Sequence, residues 1–368
     1  MEPFRCLPDY GGRCLTSLLG VLQAKRTASD APLGDVTKRI RGSRGIVLVV
    51  LDGLGAQQLS VRAELAPTLS HAQLEPMTSV APSTTATALT SLTTGAVPGI
   101  HGIAGYRILV GDDVLQTLRW TVEGSDAASR FPPESIQPIT PQLHLDGAPV
   151  PYVAKELFRT SSFTRAHLRG CRYLGSDDPP SMVATAVTAA MESRFVMVYH
   201  DGIDKTAHHT GLGDAYDAAI MEAEMMVADL RRQLPDDVAV VVTSDHGQVA
   251  GGPSELSLGQ AGLAHVAFMS GEGRFRWLHA HPGEAHDLLD HVQNDLGDSA
   301  WLFSKRQAIA EGLFGDIDDV VSDRLGDVAV LPHGNDFMAD PKEPKESRMK
   351  SRHGSLTEAE MLIPLIVL

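Results

Sequence analysis

The sequence is poor in cysteine and has no long apolar run. Its three cysteines, Cys6, Cys14 and Cys171, show none of the spacings of metal-binding motifs and cannot all pair as disulfides. A reduced, intracellular setting is the simpler expectation. The first residues, MEPFRCLPDYGG, lack the charged and apolar segments of a secretory signal. Because no apolar stretch approaches the ~20 residues that a transmembrane helix needs, we expect a cytoplasmic protein without a membrane span.

Positive charge is also in deficit. The chain has 31 Lys and Arg residues against 46 Asp and Glu residues, so its formal net charge is −15. A surface this acidic repels nucleic acid and anionic membranes, and we expect no polymeric DNA or RNA partner. A small anionic substrate remains compatible with this charge, because bound divalent cations would reverse the sign of the field inside a site.

Apolar segments alternate with helical patterns along the 368 residues, a length that suits one large α/β domain with an inserted subdomain, or two domains. Continuous apolar runs such as IVLVVL and VAVVV are typical of parallel strands buried on both faces. We therefore predict an α/β fold with a mostly parallel central sheet and helices on both faces. The predicted organisation is an N-terminal extension over residues 1–45 and a main domain over 46–368, with a smaller α/β cap inserted at about 99–194 and 251–321.

Acidic and imidazole side chains lie at or just beyond the predicted strand ends. Ligands of open α/β sheets collect beyond the carboxyl ends of the strands, so we expect these side chains to form one site. Asp204 and His208 are four residues apart and would share one face of a helix. Three Asp and three His are the candidate metal ligands: Asp52, Asp204, His208, Asp245, His246 and His353. They suit a pair of divalent ions, with Zn²⁺ first and Mn²⁺ as the alternative.

The residues alone leave other interpretations open. Asp52 precedes a glycine, as aspartates in strand-end turns commonly do. Asp204 would also suit a helix start with solvated histidines, although two Asp and three His within ten residues make that interpretation less attractive. His353 lies in a basic, polar segment, where a lone histidine is usually surface. The segment around Asp204 also holds competing ligands: His200, Asp201 and His209.

A fifth segment, APSTTATALTSLTTG, offers hydroxyl groups at a predicted helix start: Ser83, Thr84, Thr85 and Thr87. The helix dipole favours both an alkoxide and a bound phosphate at that position. A metal would lower the pKa of a coordinated hydroxyl, as it does for bound water. A capped helix start without chemistry is supported equally well. Hydroxyls beside a pair of metal sites indicate metal-dependent hydrolysis of a phosphoryl or sulfuryl ester.

The motifs LDGLG, PSTTATALTSLTTGAVPGIHGIAGY, GIDKTAHHTG, TSDHG and RHG occur in the order found in the alkaline phosphatase superfamily. From about Val47 to Gly354 the chain resembles the bacterial type I phosphodiesterase/nucleotide pyrophosphatase branch. The resemblance implies an alkaline phosphatase-like fold, with Thr85, ten residues before Gly95, as the nucleophile. It implies one metal bound by Asp52, Asp245, His246 and Thr85. It implies a second metal bound by Asp204, His208 and His353.

The resemblance also implies a course of reaction: attack by Thr85, a covalent phospho-threonine intermediate, and its hydrolysis by water. The implied substrate is a small phosphodiester or pyrophosphate. A phosphomonoesterase or phosphonate hydrolase is the alternative, for which Lys205 and Arg107 are the nearby cations. A sulfatase is disfavoured because the C/S-x-P-x-R motif is missing. A catalytically inactive binding module is the third interpretation, and the complete set of ligands and hydroxyl argues against it.

Overall fold

The computed structural model describes residues 4–24, 32–252, 255–343 and 348–368. Its helices are α1 (Leu15–Ala24), α2 (Gly34–Arg39), α3 (Ala56–Ser60), α4 (Pro67–His71), α5 (Thr85–Thr94), α6 (Pro98–His101), α7 (Pro133–Ile136), α8 (Ser162–His167), α9 (Pro179–Glu192), α10 (Gly202–Thr210), α11 (Asp214–Gln233), α12 (Gln260–Leu263), α13 (Ala285–Leu296), α14 (Lys305–Ala310), α15 (Asp319–Ser322) and α16 (Glu358–Met361). No helix within these ranges combines the length and apolar character that crossing a bilayer requires.

The strands are mostly short outside the central sheet. They are β1 (Gly45–Leu51), β2 (Met77–Thr78), β3 (Arg107–Val110), β4 (Asp113–Gln116), β5 (Thr121–Val122), β6 (Ser125–Asp126), β7 (His144–Leu145), β8 (Ala148–Pro149), β9 (Pro151–Ala154), β10 (Arg172–Gly175), β11 (Phe195–His200), β12 (Val238–Thr243), β13 (Val249–Ala250), β14 (Val266–Glu272), β15 (Phe275–Ala280), β16 (Ala300–Ser304), β17 (Val328–Pro332), β18 (Ser351–Arg352), β19 (Leu362–Ile363) and β20 (Leu365–Val367).

Six strands form the central sheet in the order β10-β9-β11-β1-β12-β20. The first five run parallel, and β20 pairs antiparallel with β12 at one edge. In the middle of the sheet, Val47 lies opposite Val196 on one side and Val240 on the other. Every residue of β1, β11 and β12 is buried, as expected of parallel strands covered on both faces. The predicted α/β fold with a mostly parallel sheet is confirmed.

Successive side chains of β1 point into two different cores, because side chains alternate between the faces of a strand. Leu48 belongs to the core that includes α1 and α5, whereas Val49 belongs to the core that includes α9 and α11. Helix α1 lies within the predicted N-terminal extension and packs against α5. Its Leu18 and Leu22 are fully buried, and burying a leucine side chain contributes about 1.5–3 kcal/mol.

A second sheet is antiparallel, with the order β14-β15-β17-β16, and packs against α13 and α14. Its β14–β15 hairpin pairs Glu272 with Phe275. Neighbouring residues of β15 again enter separate cores, Trp277 one and Leu278 the other. A third sheet, with the order β3-β4-β5-β6, contacts this hairpin through β3 and β14.

The first predicted cap insertion, residues 99–194, contributes strands both to the central sheet and to sheets outside it. It contains β3 to β8, and it also contains β9 and β10, which belong to the central sheet. The second insertion, residues 251–321, contains three of the four strands of the antiparallel sheet. The division into an extension, a main domain and caps stays a prediction, since strand pairing alone does not define domain boundaries.

Candidate metal centre

Asp52 and Asp245 lie beyond the carboxyl ends of the neighbouring parallel strands β1 and β12. Asp52 directly follows β1, and Asp245 follows β12 after one intervening residue. The His246 imidazole lies beside both, with Nε2 3.4 Å from Asp52 Oδ1 and 3.5 Å from Asp245 Oδ2. All three side chains are buried, and their candidate ligand atoms lie within 4.8 Å of one another. These residues are the first ligand group.

Asp204, His208 and His353 form the second ligand group. Asp204 and His208 lie one turn apart on α10, with His208 Nε2 3.2 Å from Asp204 Oδ1. His353 follows β18, and its Nε2 lies 3.7 Å from the same Asp204 oxygen and 3.2 Å from His208 Nε2. The candidate ligand atoms again lie within 4.8 Å of one another. The shared helical face expected from the four-residue spacing is therefore present.

The two groups lie side by side. The His246 and His353 rings stack with their centroids 3.6 Å apart and their planes 14° apart. Gly53 permits this proximity: its φ is +75°, and a methyl group on it would lie 2.8 Å from Asp204 Cβ. The backbone N–H of Asp204 donates to the Asp52 carbonyl at 3.1 Å, which joins α10 to the end of β1. The glycine of the LDG motif is thus required by close packing between the groups.

Thr85 is the first residue of α5, directly after the N-cap residue Thr84. Its Oγ1 lies 3.1 Å from His246 Nε2. Two other hydroxyls of the segment are directed elsewhere: Ser83 Oγ donates to the Ser355 carbonyl, and Thr87 is fully buried in the helix. The structure thus brings the Thr85 hydroxyl against the first ligand group, at a helix N-terminus that favours negative charge.

The tautomer of each ligand histidine follows from its Nδ1 contact. Nδ1 lies 3.0 Å from the Gly247 carbonyl in His246, 2.9 Å from the Ser351 carbonyl in His208 and 2.9 Å from the Ser83 carbonyl in His353. A carbonyl oxygen only accepts, so Nδ1 carries the proton and Nε2 keeps a lone pair. Metal-ligating histidines are usually oriented in this way. All three Nε2 atoms are consequently available to an ion.

The buried carboxylates have one oxygen satisfied and one oxygen left over. Tyr199 donates its hydroxyl to Asp52 Oδ2, and the Gly53 and His246 N–H groups each donate to Asp245 Oδ1 at 3.1 Å. Within the described part of the chain, Asp52 Oδ1 and Asp245 Oδ2 have no hydrogen-bond partner. An orphaned, buried carboxylate oxygen is costly unless a cation lies against it.

The electrostatics of the site favour bound cations. Burial raises the pKa of Asp52 well above its usual value, and the nearby Asp245 and Asp204 carboxylates raise it further. Burial, together with the His246 and His208 imidazoles, lowers the pKa of His353 well below its usual value. Crowded carboxylates with neutral imidazoles are a set of oxygen and nitrogen ligands that fits Zn²⁺ or Mn²⁺.

The competing residues lie outside both groups. Asp201 makes an ion pair with Lys155 at 2.5 Å, and His209 donates Nδ1–H to the Lys205 carbonyl at 2.6 Å. His200 is buried near them, in β11, and belongs to neither group. Lys205 is exposed and does not line the cavity above the ligands. Arg107, the other cation considered from the sequence, makes a buried ion pair of 2.6 Å with Asp340.

Several residues that orient the ligands were not identified from the sequence. Tyr199, Gln248 and Ser351 each contact a ligand residue by hydrogen bond. Each lies within three residues of a quoted motif, which is the only signal that the sequence offered. A strand tyrosine or a loop glutamine is too common for that proximity to distinguish it.

A cavity of about 1450 Å³ opens above the ligands. Thr85, Asp204, His208 and His353 contribute to its wall. Its volume exceeds the roughly 300–1,000 Å³ of most small-molecule sites. Apolar, cationic and acidic side chains line much of the remainder: Tyr106, Arg107, Asp112, Asp113, Leu118, Arg119, Glu123, Phe268, Met269, Glu272, Arg274, Lys342, Glu343, Arg348 and Arg352.

Known proteins with this fold include phosphoester hydrolases. The family model "Type I phosphodiesterase / nucleotide pyrophosphatase" matches residues 46–126 and 117–356. Murine ectonucleotide pyrophosphatase/phosphodiesterase 5 has a TM-score of 0.66 at 15% identity, over 88% of this chain and 87% of that chain. An inactive threonine-to-alanine form of it in complex with AMP has a TM-score of 0.63 at 15% identity, with the same coverage. No curated protein sequence matches.

A solved structure from a bacterium has a comparable TM-score and sequence identity to this chain. Phosphonoacetate hydrolase from Sinorhizobium meliloti 1021, in complex with phosphonoacetate, has a TM-score of 0.63 at 16% identity, over 89% of this chain and 90% of that chain. At these identities the solved structures show the fold alone, whereas the family model spans well over half of the 368 residues. The family is metal-dependent, in agreement with the two candidate ligand groups. The chain therefore belongs to the type I phosphodiesterase/nucleotide pyrophosphatase family of the alkaline phosphatase superfamily and is a phosphoester hydrolase.

Proposed function

We propose that this chain hydrolyses small phosphodiesters or pyrophosphates at a two-metal site, through a phospho-threonine formed on Thr85. The single observation that carries the proposal is the position of the Thr85 hydroxyl. It lies 3.1 Å from His246 Nε2, at the first residue of α5 and in the wall of the large cavity. A nucleophile needs this combination of a neighbouring activating group and access to substrate.

The proposed ligands follow the two groups. Asp52, Asp245, His246 and Thr85 would hold one ion, and Asp204, His208 and His353 would hold the other. The unsatisfied oxygens of Asp52 and Asp245 and the inward lone pairs of the histidines support this assignment. Zn²⁺ is the first candidate and Mn²⁺ the second. When bound, such a pair supplies charge neutralisation at the phosphoryl oxygens and lowers the pKa of a coordinated hydroxyl or water.

The residues of the chain then have separate tasks in the reaction. Thr85 Oγ1 attacks phosphorus and forms an Oγ–P bond as the bond to the leaving oxygen breaks, and its hydroxyl proton is lost to solvent. The N-terminus of α5 directs backbone N–H groups towards the phosphoryl oxygens and stabilises their negative charge. Water then attacks the same phosphorus, which breaks the Oγ–P bond, restores the Thr85 hydroxyl and releases the phosphate product.

The charges around the cavity support a diester over a monoester, because the six cationic side chains of its wall are matched in number by six carboxylates and leave no net positive charge. A phosphomonoester carries an additional negative charge, which monoesterases usually balance with a cationic side chain. Arg107 and Arg274 line the cavity, but Arg107 is paired with Asp340 at 2.6 Å and Arg274 with Glu360 at 2.7 Å. Both guanidinium groups are therefore already neutralised. The cavity volume of about 1450 Å³ also suits an ester with a sizeable leaving group.

A phosphonate hydrolase or phosphomonoesterase is the second candidate function. The observation that favours it is the similar fold of the phosphonoacetate hydrolase, which extends over 89% of this chain. The inactive murine form in complex with AMP instead favours a nucleotide-like ester. A binding module without catalysis is the third candidate, and the close contact of Thr85 with the first ligand group argues against it.

The test is a panel of substrates with metal analysis of the same protein. The purified chain would be assayed with bis-p-nitrophenyl phosphate, p-nitrophenyl phosphate and phosphonoacetate, and its zinc and manganese would be measured by elemental analysis. We expect two ions per chain and the highest kcat/KM for the diester. A higher kcat/KM for the monoester or phosphonoacetate would establish the second candidate. Two ions without turnover of any ester would establish the binding module.

We also propose that the protein acts in a reducing compartment such as the cytoplasm, on a small phosphate ester. The three cysteines are free thiols, and two of them are buried. Reducing conditions therefore remove no disulfide that stabilises the fold. The net charge of −15 supports the exclusion of polymeric nucleic acid as a partner. Fractionation of the source cells, with the protein followed by antibody, tests the location.

A further inference from the structure

Gln248 lies at the junction of the segments that carry the ligands. It follows His246 by two residues, and its side chain is fully buried. Its amide Nε2 donates to Asp204 Oδ1, and its Oε1 accepts from Ser351 Oγ at 3.0 Å. A methyl group on Gly53 would lie 2.8 Å from the same Nε2, so the Asp52 segment is in contact as well. One side chain thus touches three ligand-bearing segments besides its own.

The orientation of the amide is determined by its partners. A carboxylate only accepts hydrogen bonds, so the NH₂ group of Gln248 must face Asp204. Its carbonyl oxygen then faces Ser351, whose hydroxyl donates to it. The Ser351 backbone carbonyl in turn accepts from His208 Nδ1 at 2.9 Å. Gln248 and Ser351 therefore orient two of the three members of the second ligand group.

The first ligand group does not depend on this pair. Asp52 accepts from Tyr199, and Asp245 accepts from the Gly53 and His246 N–H groups. His246 itself is oriented by the Gly247 carbonyl. The hydrogen bonds that orient the two groups thus come from different donors and acceptors, so they can be weakened separately.

We propose that Gln248 is a positioning residue that sets the affinity of the second ion, an inference that rests on the two-metal site of the proposed function. A glutamine donates to Asp204 without adding a charge beside it. The main chain of Gln248 is held independently, because Gln58 Nε2 donates to its carbonyl oxygen. Replacing the side chain therefore removes the hydrogen bond to Asp204 while the loop keeps its anchor.

The test is a zinc titration of the metal-free full-length chain against a chromophoric chelator, for wild type and Gln248→Met. Methionine has a similar length and volume but no amide. We expect Gln248→Met to bind the first ion with wild-type affinity and the second ion roughly 10–100-fold more weakly. Its kcat at limiting zinc should fall and recover when zinc is in excess. The matched control is Gln57→Met, at an exposed glutamine that contacts no ligand residue, and it should bind as wild type.

Ser351→Ala is the second variant, in case Gln248→Met fails to fold. It leaves Gln248 Oε1 without its donor, and we expect the second ion to bind several-fold more weakly with the first unchanged. Unchanged affinity for both ions, or equal weakening of both, in either folded variant overturns the proposal. If wild type itself fails to bind two ions, the two-metal proposal fails first. If wild type and both variants each bind two ions with the same affinities, the positioning role of Gln248 is wrong and the two-metal proposal stands.

Discussion

The imidazole rings of His246 and His353 stack 3.6 Å apart, although they come from distant segments of the chain. His246 completes the ligand group at the ends of β1 and β12, and His353 completes the group on α10. The stack therefore places the two groups side by side. It also disfavours a second positive charge, since His246 contributes to lowering the pKa of His353. Neutral rings with inward lone pairs are the state in which histidines bind metal.

Thr85→Ala should remove the nucleophile, which is also one of the four proposed ligands of the first ion, and leave Asp52, Asp245 and His246 to hold that ion. We expect turnover of bis-p-nitrophenyl phosphate to fall by ~10³-fold or more, because loss of a covalent nucleophile is not replaced by its neighbours. Bound zinc, measured by elemental analysis, should remain close to two ions per chain. Thr87→Ala is the control, since Thr87 is buried elsewhere on α5 and should keep near-wild-type activity. Near-wild-type turnover in Thr85→Ala would refute the assignment.

His208→Ala should cost the protein about one metal ion per chain. The variant strips one of three ligands from the second group, and the Nε2 of His208 lies 3.2 Å from Asp204 Oδ1. His209→Ala is the control, because His209 belongs to neither ligand group. Elemental analysis after gel filtration gives the stoichiometry of each variant. Equal metal content in the two variants would contradict the ligand role of His208.

Tyr199→Phe should lower the affinity for the first ion and leave the affinity for the second ion unchanged. The Tyr199 hydroxyl donates to Asp52 Oδ2, and burial raises the pKa of Tyr199 well above its usual value, so the phenol stays a donor. Loss of such an orienting hydrogen bond typically lowers metal affinity about 10–100-fold. Tyr173→Phe is the matched control, since that hydroxyl donates to the Lys155 carbonyl instead. Zinc titration distinguishes the two sites, and wild-type affinity for both ions in Tyr199→Phe would count against this role.

His101 should make the stability of the protein depend on pH. It accepts from the Ile103 N–H at Nδ1 and donates from Nε2 to Ser91 Oγ, and burial lowers its pKa to about 3. In the unfolded chain the imidazole of His101 takes up a proton at pH ~6.5, whereas in the folded chain it takes up that proton only at about pH 3. The contribution of His101 is therefore complete above pH ~6.5 and is lost as the pH falls towards 3.

The measurement is urea unfolding of the chelator-treated protein at several pH values from 5 to 8. The free energy of unfolding should fall by up to ~1.4 kcal/mol per pH unit below pH 6.5 through this one group. Replacing His101 with glutamine removes the titrating group, so the slope of the variant should be shallower by that amount. Equal slopes for wild type and variant between pH 5 and 6 would exclude the prediction.

Asp340→Ala should destabilise the fold strongly. It removes the carboxylate that lies 2.6 Å from the buried Arg107 guanidinium and leaves Glu343, 3.7 Å from Arg107 Nε, as the remaining partner. Breaking a buried pair from one side costs about 3–5 kcal/mol, and we expect a loss at the lower end of that range because Glu343 stays. The control is Asp237→Ala, which removes the exposed partner of Arg44 and should cost at most ~1 kcal/mol. Urea unfolding compares the two variants. Similar losses of unfolding free energy in the two variants would show that the buried pair stabilises the fold no more than the exposed pair.

Part of the site could be predicted from the sequence because its ligands adjoin long apolar strands. IVLVVL and VAVVV are recognisable as parallel strands, and their carboxyl ends must meet at one edge of the sheet. Asp52 and Asp245 could therefore be grouped before any coordinates. His353 follows only a two-residue strand, and its grouping with Asp204 came from the family resemblance rather than from any pattern of its own.

The amino-acid sequence by itself determined the class of fold, the acidic net charge and the set of candidate ligands, because apolar periodicity and residue type are local properties of the chain. Only the tertiary structure shows that His208, rather than His209, lies beside His353, and that Tyr199, Gln248 and Ser351 make hydrogen bonds to the candidate ligands. Those relationships depend on distances between segments remote in sequence, and only the packing of strands, helices and loops sets such distances.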